Sequence, residues 1–195
     1  MKFDCLTLGD YSTNCYLVWN ENKTDCVIID PGYEPNRIAE KIAVLGLTPA
    51  GILLTHGHFD HVGGVAELKR KFRIPVYLHE SELELPPHLT NGPIPYSDFY
   101  KDGEEILLGG LAFRVIHTPG HTPGSVSLLC ETSIFSGDTL FAGVCGRTDL
   151  DGGNIFQMIS SLRKLKALPG DYAVYPGHGN ATSLERERNE NPYMR

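Results

Sequence analysis

Four short segments gather side chains that bind metal ions: His56-Gly57-His58-Phe59-Asp60-His61, Gly120-His121, Gly137-Asp138 and Gly177-His178-Gly179. Together they offer five histidines and two aspartates. Imidazole nitrogen and carboxylate oxygen are the donors that zinc, iron and manganese take. His56 and His58 are two residues apart, so an extended loop aims both side chains the same way. Asp60 and His61 fall where the chain turns into a helix, so they can face a different point. Seven donors are too many for one tetrahedral zinc. The spacing suits two adjacent metals, and a carboxylate such as Asp138 can bridge two cations with its two oxygens. A lone histidine beside an apolar segment is ordinarily a core or capping residue. Five beside glycines at strand ends are not explained that way.

Such side chains need a rigid support. Each donor segment follows an apolar run, as expected for loops at one edge of a sheet. Strands are predicted over residues 3–8, 15–19, 26–29, 51–54, 76–78, 111–116, 126–130, 134–135 and 172–175. A helix begins at Pro35, carries Ile38, Ile42 and Leu45, and stops at Gly46. A second spans 64–72. A third spans 155–168, with Ile155, Met158, Ile159, Leu162 and Leu165 on one side. Thr182 with Glu185 reads as a capping box for a short last helix. Residues 82–103 hold four prolines and read as an ordered loop or partial lid. Helices between strands make this an α/β protein, and no linker or repeat divides residues 1–195.

Composition narrows the function further. The 195 residues are 41% apolar and 21% charged, which argues against wholesale disorder. The formal charge of −7, with no basic run, argues against nucleic-acid binding. The first residues lack the apolar core of a signal peptide, and residues 42–54 are too interrupted to span a bilayer. Cys5, Cys15, Cys26, Cys130 and Cys145 are odd in number and hold no C-x-x-C pair. They are expected to be small buried apolar residues in a reducing cytoplasm. His79 and His88 are expected at the surface, as are Arg163, Lys164, Lys166 and the run 185–188. The oligomeric state is not legible.

Thr55-His56-Gly57-His58-Phe59-Asp60-His61 resembles the signature of the metallo-β-lactamase superfamily. Thr118-Pro119-Gly120-His121-Thr122-Pro123-Gly124-Ser125, Ser136-Gly137-Asp138-Thr139-Leu140-Phe141 and Tyr175-Pro176-Gly177-His178-Gly179 continue the resemblance in order. The chain is most similar to the short bacterial branch near hydroxyacylglutathione hydrolase, or glyoxalase II. The resemblance implies an αββα sandwich with the metals between the sheet edges. It implies that His56, His58 and His121 hold one metal and Asp60, His61 and His178 a second, with Asp138 bridging. Asp60 and Asp138 are thereby catalytic, and Asp30 orients a ligand histidine from behind.

The cofactors implied are two divalent ions, zinc first, with iron or manganese as alternatives. The reaction implied is hydrolysis of a small-molecule thioester such as S-D-lactoylglutathione by a metal-bridging hydroxide. Arg147, in Cys145-Gly146-Arg147-Thr148-Asp149, falls where glyoxalase II enzymes keep a basic residue for the glutathione glycine carboxylate; the alternative is a pair with Asp149 or another acid that holds the loop. That segment also resembles persulfide dioxygenases, in which one iron would sit on His56, His121 and Asp138. A metal-binding module without catalysis is the third reading.

Overall fold

The structure, a computed structural model, describes residues 1–22 and 24–195. Its first half pairs β1 (Lys2–Leu8), β2 (Thr13–Trp19), β3 (Asp25–Ile29), β4 (Thr48–Leu53), β5 (Val76–Leu78) and β6 (Asp98–Phe99) side by side in that order. The first three are antiparallel, and β3 to β6 run parallel. Parallel neighbours need crossovers. α1 (Pro35–Val44) supplies the first, and α2 (Phe59–Val62) with α3 (Val65–Phe72) the second. α4 (Pro87–Thr90) lies in the third.

The second half mirrors this plan. β7 (Glu105–Leu108), β8 (Leu111–His117), β9 (Val126–Cys130) and β10 (Ser133–Gly137) form an antiparallel meander. A small hairpin, β11 (Leu140–Phe141) and β12 (Val144–Cys145), precedes α5 (Ile155–Lys166). β13 (Ala173–Pro176) then returns parallel to β10, and β14 (Thr182–Ser183) and α6 (Leu184–Glu190) complete the layer.

Alternation along the strands divides the core into layers. In β3, Cys26 and Ile28 face α1 and α3, where they meet Ile38, Ile42, Val65 and Leu68. Val27 and Ile29 face the other sheet, where they meet Phe113, Val115, Leu128 and Phe135. On that sheet's far side Ile134 and Val174 pack against Met158, Leu162 and Leu165 of α5 and Leu184 of α6. Strands buried on both faces read as unbroken apolar runs. The result is the αββα sandwich. Among the described residues, no helix is long and apolar enough to cross a membrane.

Several sequence expectations need correction. The stretch 82–103 holds a 3-10 turn (Glu80–Glu84), α4 and β6. α5 ends at Lys166, and Ile155 is exposed because the buried stripe starts at Met158. The cap of α6 is Ser183, whose hydroxyl accepts from the Arg186 amide; Thr182 instead donates to Glu187. Glu187 is buried, its carboxylate filled by Thr182, Gly143 and Asn191. All five cysteines are free, but Cys5 is exposed. β7, β11, β12 and β14 were not legible, being two to four residues long.

Phe113 is fully buried between the sheets. Phe113→Ala is expected to cost about 3–5 kcal/mol, read as a lowered urea midpoint with an unchanged slope.

Candidate metal centre

The donors leave the C-terminal ends of strands on one edge of the sandwich. β4 leads into His56, His58, Asp60 and His61; β8 leads into His121, β10 into Asp138 and β13 into His178. The two sheets are stitched together at this edge. Val126 N donates to Thr55 O at 2.8 Å, and Asn14 N to Gly177 O at 2.7 Å. The Asn14 side-chain amide and the Tyr16 hydroxyl both donate to Pro176 O. Each stitch lies within two residues of a donor, so the sheets cannot part here without moving the centre.

Two triads result. Ligand atoms of His56, His58 and His121 lie within 4.8 Å of one another, and so do those of Asp60, His61 and His178. Each triad draws on both sheets. Asp138 spans them, with Oδ1 3.5 Å from His61 Nε2 and Oδ2 3.5 Å from both His121 Nε2 and His178 Nε2. Four rings are fixed by their Nδ1: His56 by Thr55 Oγ1, His61 by Asp30 Oδ2, His121 by Arg147 O and His178 by Tyr11 O. That pattern aims each Nε2 inward, as metal-binding histidines require. The buried Nε2 atoms of His56, His58 and His121, and Oδ1 of Asp138, have no hydrogen-bond partner. Buried polar atoms are almost always paired. Converging acceptors without a donor fit a cation.

The electrostatics agree. Burial, reinforced by the surrounding rings, holds His56 well below the usual imidazole range and brings His58 down to about 4. Burial opposes ionisation of Asp138, yet His61, His178 and His121 hold it well below the usual carboxylate range. Burial would lower His178, but Asp138 and Asp60 against its Nε2 raise it to about 10. Neutral imidazoles and ionised carboxylates are the protonation states that bind metal. The two carboxylates that raise His178 are negative charge facing it from both sides, charge that a cation seated there would balance.

Residues behind the donors set their positions. Asp30 has a left-handed backbone, φ 50°, and accepts from Thr55 N, Thr55 Oγ1 and His61 Nδ1. A non-glycine residue held there is strained, a feature that concentrates at functional sites. A Cβ on Gly177 would lie 2.2 Å from Asp138 Oδ1, and one on Gly120 would lie 2.4 Å from the Met158 amide nitrogen. These glycines let Asp138 approach β13 and let the His121 loop rest on α5.

Glu82 was not singled out from the sequence. Its side chain is buried, accepting from Thr122 Oγ1 at 2.6 Å and Gly124 N at 2.7 Å through Oε1, and from Gly57 N through Oε2. It therefore joins the His56–His58 loop to the His121 loop. Burial pushes it up to about 7, against the pull of those three donors. A lone glutamate in a proline-rich stretch gives no periodic signal.

Arg147 lines the cleft, but its Nε and Nη2 both donate to Asp149 at 2.8 Å. His79 is only half-exposed, stacked on His117 at 4.2 Å, while exposed His88 faces Asp151. Lys164 reaches Asp102 and His117 O, Lys166 reaches Met194 O, and Arg188 donates to three backbone carbonyls. Those side chains brace the C-terminal layer.

This fold, with five histidines and two aspartates at one sheet edge, is matched over residues 8–178 by the model of the metallo-beta-lactamase superfamily. The chain belongs to that superfamily. It is 35% identical to the hydroxyacylglutathione hydrolase GloC of Haemophilus influenzae, over 100% of this chain and 98% of the relative. Among solved structures, TTHA1623 in a di-iron-bound form has a TM-score of 0.88 at 38% identity, covering 97% of this chain and 99% of that one. ETHE1 from Myxococcus xanthus has a TM-score of 0.87 at 34% identity, covering 98% of this chain and 84% of that one.

Glu82→Gln replaces one accepting oxygen by a donor against amide N–H groups or the Thr122 hydroxyl. It is expected to weaken metal affinity by up to about 10-fold, at or below the range for losing a direct partner of a ligand, because Glu82 acts through the loops that carry His58 and His121. Competition with a chromophoric chelator measures this.

Proposed function

We infer that this member of the superfamily, a metal-dependent hydrolase, cleaves thioesters. The observation that carries the reading is Asp138, set between two complete donor triads with an unpaired buried oxygen. His56, His58 and His121 would hold one ion, Asp60, His61 and His178 the other, with Asp138 between. Divalent ions there, zinc by the ordinary preference of such a set and iron or manganese by the same donor chemistry, supply Lewis acidity and an acidified water.

The chain's own residues fix the rest. Asp60 and Asp138 face the cleft, placed to accept hydrogen bonds from the attacking water. The water oxygen bonds to the acyl carbon, and the carbon–sulfur bond breaks. The electron pair leaves on sulfur, and the two protons of water end on the carboxylic acid and the thiol. Outside the donor set, the ionisable groups among the described cleft-lining residues are Tyr11 and Arg147. Arg147 is tied to Asp149, and among the described residues no carboxylic acid or imidazole outside the donors lines the cleft. A thiolate, from a thiol of pKa about 8.5, departs without one. An amide nitrogen does not. The identity with GloC supports the same reading.

Oxygen chemistry on a persulfide is the second reading, with one iron on His56, His121 and Asp138. It is favoured by the likeness to ETHE1 and by the segment 145–149, whose Arg147 carbonyl holds His121. It leaves His58 without a role, although His58 Nε2 converges with the other two and is equally unpaired.

Metal-loaded protein is expected to hydrolyse S-D-lactoylglutathione, to stop with a chelator and to recover with added zinc, manganese or iron. Absence of turnover at confirmed metal content, with thiol-dependent oxygen uptake instead, would establish the second reading. Asp138→Ala is expected to lower bound metal and hydrolysis together, by more than the roughly 100-fold limit of outer-partner changes. Elemental analysis alongside the rate tests this; an unaltered variant removes Asp138 from the ligand set.

A further inference from the structure

The cleft over the metal centre has a volume of about 380 Å³, enough for one small organic arm. Its walls away from the donors are Tyr11, Phe59, Leu89, Phe141 and Leu150. They come from distant parts of the chain: the turn after β1, the first turn of α2, α4, the β11 strand and the loop before α5. Tyr11 stands edge-on to Phe59, with centroids 5.2 Å apart at 84°. Leu89 is buried, and Phe59, Phe141 and Leu150 are partly covered.

Outside the histidines, the one cation among the described lining residues is Arg147. Its guanidinium is committed. Two parallel hydrogen bonds of 2.8 Å to Asp149 fill the edge that would grip a carboxylate. Asp149 adds negative charge at the same rim. An anionic arm seeking that edge would have to displace Asp149, whose own charge stands beside it. An apolar arm would gain contact with Phe59, Leu89, Phe141, Leu150 and the Tyr11 ring without displacing Asp149.

We propose that this cleft selects thioesters whose thiol arm is uncharged and apolar or aromatic, and disfavours those of anionic peptide thiols such as glutathione. The proposal rests on the thioester reading above and narrows it to a substrate class. The aromatic and leucine walls and the closed Arg147–Asp149 pair are the specificity determinants.

The test holds the acyl group constant. D-lactoyl thioesters of benzyl thiol and of glutathione are compared on metal-loaded protein. The benzyl thioester is expected to show a kcat/KM at least about 10-fold higher, the scale on which apolar contacts discriminate. Leu150→Asp is expected to shrink that ratio, chiefly through KM on the benzyl thioester. Asp149→Asn, which frees Arg147, is expected to raise kcat/KM on the glutathione thioester several-fold. A wild-type preference for the glutathione thioester, lost in Arg147→Ala, overturns the proposal and leaves thioester hydrolysis standing. Calorimetric binding of the two ketone analogues, with methylene in place of sulfur, reads selection without turnover. Tighter binding of the benzyl ketone with neither thioester hydrolysed supports the wall and removes the reaction. Tighter binding of the glutathionyl ketone overturns the wall.

Discussion

The polar tips of five imidazoles and two carboxylates converge inside a space a few ångströms across. His61 Nε2 and His178 Nε2 are 3.3 Å apart, and His178 Nε2 is 3.2 Å from Asp60 Oδ2. The buried Nε2 atoms of His56, His58 and His121 and Oδ1 of Asp138 have no partner at all. Burial removes the water that would otherwise satisfy them, and a cation among them supplies what water would. The surrounding structure can be understood as what is needed to hold that unfavourable gathering in place: Nδ1 partners behind four rings, a strained Asp30, and glycines where a side chain would strike a donor.

Division of the donors between two sheets adds a second requirement. A centre built on one loop needs only that loop to be ordered. This one needs the edges of two sheets held in register, so the backbone bonds Val126–Thr55 and Asn14–Gly177 lie at the donor end of the sandwich. Glu82 has the same part on the other flank. It reaches from the turn after β5 to fasten a loop of each sheet through a single carboxylate.

How much could be read beforehand follows from what leaves a local trace. The donor histidines and aspartates sit beside glycines after apolar runs, so both their chemistry and their strand-end placement were legible. Helices α1, α3 and α5 announced themselves by spacing, since each must bury one stripe. Short edge strands such as β7 and β14 carry too few residues for a period to show. Asp30 shows locally only as an Asp-Pro-Gly turn; its hold on a ligand histidine is implied by the family resemblance alone, because the contact with His61 spans 31 positions. Glu82 was invisible because its three partners lie 25 to 42 residues away and two of them are backbone amides. Arg147 reads either as a cation for a substrate carboxylate or as the partner of Asp149, and the choice between them depends on a side-chain geometry that neighbouring letters permit but do not dictate.

The stitched edge has a mechanical consequence. His56 and His58 leave one sheet and His121 the other, so a slide of the sheets at this end changes the donor separations together. Val126–Thr55 and Asn14–Gly177 resist that slide, and the spacing of the triad is set by the backbone of both sheets rather than by one loop.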